Sequence, residues 1–134
     1  MIRELTNKEY NKIVNLGKLL KDNYSSKQIG DLEKVYIYVD NESIYGFIQV
    51  LSLYETLEII NIVVHPEQRK KGIGKMLLDF VIDKFKPVHI LLEVRESNYI
   101  ARSFYLKNNF TEIRTIKNYY GNENAIVMER NLYE

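Results

Sequence analysis

The chain has 134 residues, no cysteine, two histidines and a formal net charge of +1. That length suits one domain, 1–134, burying roughly 65–70% of the surface its unfolded chain exposes, so a core needs neither disulfide nor structural metal. Hydrophobic residues make up 46% and charged residues 28%, as in an ordinary soluble globular protein, and the near-neutral balance excludes a global field aimed at nucleic acid or an anionic membrane.

Met1-Ile2-Arg3-Glu4 carries no apolar signal core, and no apolar run approaches the ~18 residues of a membrane span. The expected location is the cytoplasm. His65 and His89 stand apart with no cysteine beside them, so no metal site is expected. Thr6-Asn7-Lys8-Glu9 reads as a capping box. Ile13, Leu16, Leu19 and Leu20 follow at helical spacing, predicting a helix over about 7–21. The polar stretch 22–33 has room for a short second helix. Val35-Tyr36-Ile37-Tyr38-Val39 is aromatic and β-branched, hence strand. Asp40-Asn41-Glu42-Ser43 turns into a second strand over 44–54, and 57–64 is a third, ended by Pro66.

Residues 72–84 read as a helix with Ile73, Met76, Leu77, Phe80 and Val81 on one face. Pro87 follows it, and 88–94 is an apolar strand. A helix over about 98–108, capped by Ser97, precedes strands near 110–117 and 125–132. The order is β-α-(α)-β-β-β-α-β-α-β-β, a three-layer mixed α/β (α+β) fold with a seven-stranded sheet. The strands 57–64 and 88–94 form a βαβ crossover, so they should be parallel and buried on both faces. The flanking hairpins should be antiparallel.

The chemistry-bearing segment runs from Asn61-Ile62-Val63-Val64 through His65-Pro66-Glu67-Gln68 to Arg69-Lys70-Lys71-Gly72-Ile73-Gly74-Lys75. A buried strand leads through a turn into a helix that starts with two glycines. Helix-start amides are unpaired and lie at the positive end of the dipole. Glycines let a backbone approach an anion closely, and Arg69, Lys70, Lys71 and Lys75 add charge. The pattern predicts a phosphate or pyrophosphate cradle. It is not a P-loop, because Arg69 and Met76 occupy the required Gly and Ser/Thr positions. Nor is it a dinucleotide fingerprint, because Leu77 stands at the third glycine.

What remains, Arg69-x-x-Gly72-x-Gly74, resembles the pyrophosphate loop of the GNAT superfamily of N-acetyltransferases. Leu92-Glu93-Val94-Arg95-Glu96-Ser97-Asn98 and Ala101-x-x-Phe104-Tyr105-x-x-Asn108-Asn109-Phe110 resemble its second block. More narrowly, Leu-Glu-Val-Arg-x-Ser-Asn, Tyr119-Tyr120 and Glu123-Asn124-Ala125-Ile126-Val127-Met128 resemble the bacterial ribosomal-protein-alanine N-acetyltransferases (the RimI type). The resemblance covers about residues 57–130. Two departures stand out. Asn109 replaces a usual glycine, and Asn is the residue best able to replace it at a left-handed helix end. Asn124 replaces a usual aspartate.

The resemblance implies a GNAT acyl-CoA N-acyltransferase fold with acetyl-CoA as cosubstrate, held where the parallel strands splay apart. The amides of residues 69 to 74 would take its pyrophosphate, with Lys75 adding charge, and the Ile62, Val63 and Val64 backbone its pantetheine arm. An amide near Val64 would stabilise the oxyanion. Asn98 and Lys107 would also contact CoA. Glu93 would be the general base, since partial desolvation at a strand end would make it more basic. Glu58 competes for that role. Tyr105 would protonate the leaving thiolate, with Phe104 beside it in the core. Asn61, Tyr119 and Tyr120 would line the acceptor groove. The implied reaction is acetyl transfer in a ternary complex to a primary amine. The first candidate is a protein N-terminus, the second a small amine such as a polyamine, amino acid or drug. A non-catalytic acyl-CoA-binding module is the third reading. No nucleic acid or membrane partner is expected, and the chain should be a monomer or weak dimer.

Overall fold

A computed structural model of the chain describes residues 1–18, 29–69 and 71–132. The elements are β1 (Ile2–Glu4), α1 (Tyr10–Gly17), β2 (Glu33–Asp40), β3 (Ser43–Leu53), β4 (Thr56–Val64), α2 (Ile73–Phe85), β5 (His89–Arg95), α3 (Tyr99–Lys107), β6 (Thr111–Ile116) and β7 (Ala125–Asn131). The strands form a mixed seven-stranded sheet in the order β1-β2-β3-β4-β5-β7-β6, as expected from the sequence. Of the predicted first helix, Leu19 and Leu20 lie outside the described residues, as do 22–28 of the suggested second helix. Ile29 is a bend, and Asp31 and Leu32 form a turn.

The chain divides into two compact units, Met1–Ser52 with Ile60–Lys86, and Leu53–Ile59 with Pro87–Glu134. In the first, β1 pairs antiparallel with β2, and β2 with β3. The β2–β3 turn places Asn41 and Glu42 at φ 50° and 68°, the left-handed pair of a tight hairpin. Before α1, the Thr6 amide donates to Glu9 Oε1 at 3.0 Å. Arg3 grips the same carboxylate through both terminal nitrogens, at 2.8 and 2.6 Å. One face of β2 and β3 joins Leu5, Ile13, Leu16, Val35, Ile37, Phe47 and Val63 in a core.

The opposite face receives α2, whose Phe80 and Phe85 rings lie 5.3 and 6.0 Å from Tyr36. The buried side of α2 is Ile73, Leu77, Leu78 and Val81, whereas Met76 is exposed and Phe80 only half-buried. The expected apolar stripe is thus rotated toward Leu78. Gly46 on β3 sets the start of α2. A Cβ there would stand 3.0 Å from the Val63 carbonyl and 3.2 Å from Ile73. Only a bare backbone lets strand and helix approach so closely.

In the second unit, β4 and β5 are parallel, with Thr56–Ile59 in register with His89–Leu92. β7 lies antiparallel to both β5 and β6. Cross-strand partners share a face. One face holds Leu57, Ile59, Ile90, Leu92, Val94, Ile126 and Met128, all buried. The other carries Glu58, Leu91 and Glu93, half-buried or exposed. The expectation of burial on both faces therefore fails: the strands alternate, and the second face is only partly covered.

α3 is capped by Asn98, whose Oδ1 accepts from the Ala101 amide at 3.1 Å, and not by Ser97. Asn109 takes the left-handed conformation expected of it, φ 71°.

Candidate functional site

Two constellations emerge, one in each unit. The first is the strand–turn–helix at 61–75. β4 ends at Val64, and a short 3-10 turn, Pro66–Gln68, follows. His65 stabilises that turn, its Nδ1 accepting from the Glu67 amide at 3.2 Å. The Gln68 and Arg69 amides donate to the His65 and Pro66 carbonyls at 2.8 and 3.4 Å. The expected cradle over residues 69 to 74 is therefore narrower: the Arg69 amide is used by the turn, and Lys70 lies outside the described residues. Helical bonding begins at Met76, whose amide donates to the Gly72 carbonyl at 2.9 Å. Among the described residues, the amides of Ile73, Gly74 and Lys75 have no partner within the helix and are the open donors of α2. Gly72 is the N-cap, left-handed at φ 80° and exposed.

The cations around this point have local partners. Arg69 Nε donates to the Val64 carbonyl at 3.3 Å, and Lys71 Nζ to Gln68 Oε1 at 3.1 Å. Lys75 pairs with Asp79 at 2.6 Å on the exposed side of α2. Arg69, Lys71 and Lys75 are all exposed. Such surface pairs are weak, so an arriving anion can redirect them at small cost. Asn61, one residue before Ile62, is half-buried and donates to Gln49.

The second constellation is acidic and aromatic. Glu93 lies on the same strand face as Glu58, two residues beyond Glu58's partner Leu91. It is exposed, so the desolvated setting expected of it is not found. The reason is strand alternation: Leu92 and Val94 turn into the core and Glu93 turns out. The Tyr119 hydroxyl hydrogen-bonds to Glu93, and the nearby carboxylates push Tyr119 up to about 12. Tyr120 is raised as well, mainly by burial and then by Glu93. The two tyrosine rings meet edge to face at 5.0 Å.

Two further residues hold this cluster and escaped the sequence reading. Arg95 lies 4.1 Å over the Tyr120 ring and pairs with Glu123 at 3.2 Å. Glu123 also accepts from the Ser97 amide at 2.8 Å, and its bonds to Ser97 and Arg95 lower its pKa. Asn124 Oδ1 accepts from the Asn118 amide at 2.9 Å, which fixes the β6–β7 loop that carries both tyrosines. The amide that replaces aspartate thus acts on loop shape. The available signal was the alternation of Glu93 and Arg95 on one strand face. The link from Arg95 to Glu123 is long-range and has no local pattern.

α3 carries the remaining expected residues. Tyr105, not Phe104, is the buried ring, 4% exposed between Phe104 and Phe110 at 5.3 and 5.2 Å. Burial pushes its hydroxyl well above the ordinary tyrosine value. Asn98 is half-buried and already uses Oδ1 as the helix cap. Lys107 is exposed at the last position of α3. No cluster of three metal-ligating side chains occurs among the described residues.

A mixed seven-stranded sheet with a glycine-capped helix after a central strand is the GNAT class of fold. Residues 1–110 match the acetyltransferase (GNAT) family, and the chain belongs to that family. Among curated relatives, the [ribosomal protein bS18]-alanine N-acetyltransferase of Haemophilus influenzae is 38% identical over 98 residues, covering 67% of this chain and 66% of that protein. Its Salmonella typhimurium counterpart is 36% identical, covering 66% of this chain and 64% of that protein. The chain thus matches just under two thirds of the length of these relatives. The N-alpha-acetyltransferase of Sulfolobus acidocaldarius is 35% identical, covering 81% of this chain and 70% of that protein. Among solved structures, Ard1 from Thermoplasma volcanium superposes with a TM-score of 0.89 at 28% identity, covering 100% of this chain and 98% of that one.

Proposed function

We propose that this chain transfers the acetyl group of acetyl-CoA to a primary amine, and specifically to the α-amino group at a protein N-terminus. The observation that carries the reading is the Glu93–Tyr119 pair on the half-open sheet face, with Tyr120, Arg95 and Glu123 holding it. The names of the relatives, alanine N-acetyltransferase and N-alpha-acetyltransferase, support the choice of acceptor.

The reaction is direct. The neutral amine nitrogen attacks the thioester carbon, a C–N bond forms, the C–S bond breaks, and the nitrogen loses a proton. Glu93, or Glu58 on the same face, takes that proton directly or through water. An α-amine has a pKa of about 7.7–8.0, so a modest base suffices, whereas a lysine amine near 10.4 needs more help. Tyr105 returns a proton to the departing thiolate; its hydroxyl is protonated at neutral pH, and burial makes it a weaker acid than an exposed phenol. No cysteine is present to carry the acetyl group, which fits transfer without an acyl-enzyme.

The donor's diphosphate would bind the open amides of Ile73, Gly74 and Lys75, with Arg69 and Lys71 turning toward it and Lys70 adding charge. Backbone groups of Ile62, Val63 and Val64 would pair with the pantetheine arm, and Asn98 and Lys107 would add contacts. Tyr119, Tyr120 and Asn61 would face the acceptor. A CoA-release assay against N-terminal peptides and small amines tests the proposal. Turnover of Ala-starting peptides but not polyamines is expected. Turnover of polyamines alone, or of nothing, would overturn it.

A further inference from the structure

Gln49 on β3 is 0% exposed, an unusual place for a carboxamide among the described residues. Its Nε2 donates to Glu33 Oε1 at 2.5 Å, and its Oε1 accepts from Asn61 Nδ2 at 2.9 Å. The three side chains thus form a line from β2 through β3 to β4.

Glu33 gives that line a direction. A carboxamide can turn end for end and exchange its donor with its acceptor, but an ionised carboxylate can only accept. Glu33 therefore fixes Nε2 of Gln49 toward itself. Oε1 must then face Asn61, which answers with Nδ2. The group of Asn61 not engaged by Gln49 is Oδ1, an acceptor. Asn61 is half-buried and directly precedes Ile62–Val64.

We propose that Glu33 and Gln49 are positioning residues that hold Asn61 Oδ1 as a hydrogen-bond acceptor for an N–H of the amine substrate. The inference rests on the acetyl-transfer reading above and names how that reading's acceptor is oriented. The chemistry favours an amide over a carboxylate here. The attacking amine must be neutral, with its lone pair free and its hydrogens held. A further carboxylate in contact, beside the one that takes the proton, would stabilise the ammonium form more, whereas a neutral carbonyl oxygen orients N–H with less of that penalty. Keeping the charge at Glu33 and passing only its orientation to Asn61 meets both needs.

The test uses the full chain with an Ala-starting peptide at saturating acetyl-CoA. The variants are Glu33→Gln, Asn61→Ala, Asn61→Ser and the double variant Glu33→Gln/Asn61→Ala. Glu33→Gln keeps the shape and removes only the acceptor-only end. Asn61→Ala should raise the KM for peptide about three- to tenfold, the worth of one neutral hydrogen bond. Glu33→Gln should raise it in the same direction, and Asn61→Ser, which keeps an acceptor oxygen, should restore part of the loss. Calorimetric affinity for acetyl-CoA should stay level throughout. The Glu33→Gln effect should vanish in the Asn61→Ala background, because the two act as one unit. An unchanged peptide KM in Glu33→Gln, or an equal effect of that change with Asn61 absent, overturns the inference while the acetyl-transfer reading stands. Absence of turnover in the wild type overturns both.

Discussion

Tyr119 on the β6–β7 loop is coupled to Glu93 on the exposed face of β5, whose carboxylate holds the phenol protonated above its ordinary range. The loop is prepared for that contact by bonds of its own. Tyr120 and Glu123 close it through N–H to carbonyl at 3.0 Å, and Asn124 caps the Asn118 amide.

The pair makes Glu93 the first residue to change. Glu93→Gln should lower kcat by roughly 10²–10⁴-fold if it is the main base. Glu58→Gln should then lower it less. The reverse order moves the role to Glu58. In the same assay Tyr105→Phe should reduce kcat with acetyl-CoA affinity nearly kept, and an unchanged kcat removes its acid role.

A direct titration reads the Tyr119–Glu93 bond. The neutral phenol is the bonded form, and its pKa rises from 10.0 to about 12. Its stabilising contribution is therefore complete below about pH 10 and is lost as pH rises through 12. The phenolate absorbance of wild type minus Tyr119→Phe should titrate near the upper value. Glu93→Gln should return it toward the ordinary one. A wild-type midpoint at the ordinary value would remove the bond.

Acid stability depends on Glu9. The Arg3 fork, with help from Thr6, lowers its carboxyl from 4.5 to about 2. The contribution is full above about pH 4.5 and disappears as pH falls toward 2. The thermal midpoint of wild type should exceed that of Glu9→Gln at neutral pH, and the gap should close over that acid window. A gap independent of pH would contradict the assignment.

Gly72 tests the helix start without touching packing. A Cβ there meets nothing within 4 Å, yet φ is +80°. Gly72→Ala should cost about 1–2 kcal/mol from the left-handed backbone alone, read as a lower thermal midpoint. Gly72→Asn should cost less, since Asn tolerates that region better. Equal stability of all three would show that the cap is not held left-handed.

Much of this architecture is legible in local chemistry. The 2-to-3.6 change of period locates most strands and helices, Thr6 and Glu9 mark the entry to α1, and Asn109 turns left-handed where a glycine was expected. What was not legible depends on tertiary partners. Ser97 and Asn98 are equally good caps by type, and only the fold selects Asn98. Phe104 and Tyr105 are adjacent rings, and the side of α3 that meets Phe110 decides that Tyr105 is buried. Glu93 ends an apolar run, but pleating turns it outward. The Arg95–Glu123 pair joins distant segments and leaves no periodic trace. The candidate site residues are thus proposed from motif, and their surroundings required the structure.

The central claim is that the open amides at the start of α2 hold the diphosphate of the acetyl donor. Calorimetric titration with acetyl-CoA and with S-acetylpantetheine, which has the same thioester but no diphosphate, tests it most directly. Charge-assisted hydrogen bonds of about 1.5–3 kcal/mol each predict that acetyl-CoA binds at least about a hundredfold more tightly. Equal affinities, or no binding of acetyl-CoA, would contradict the account.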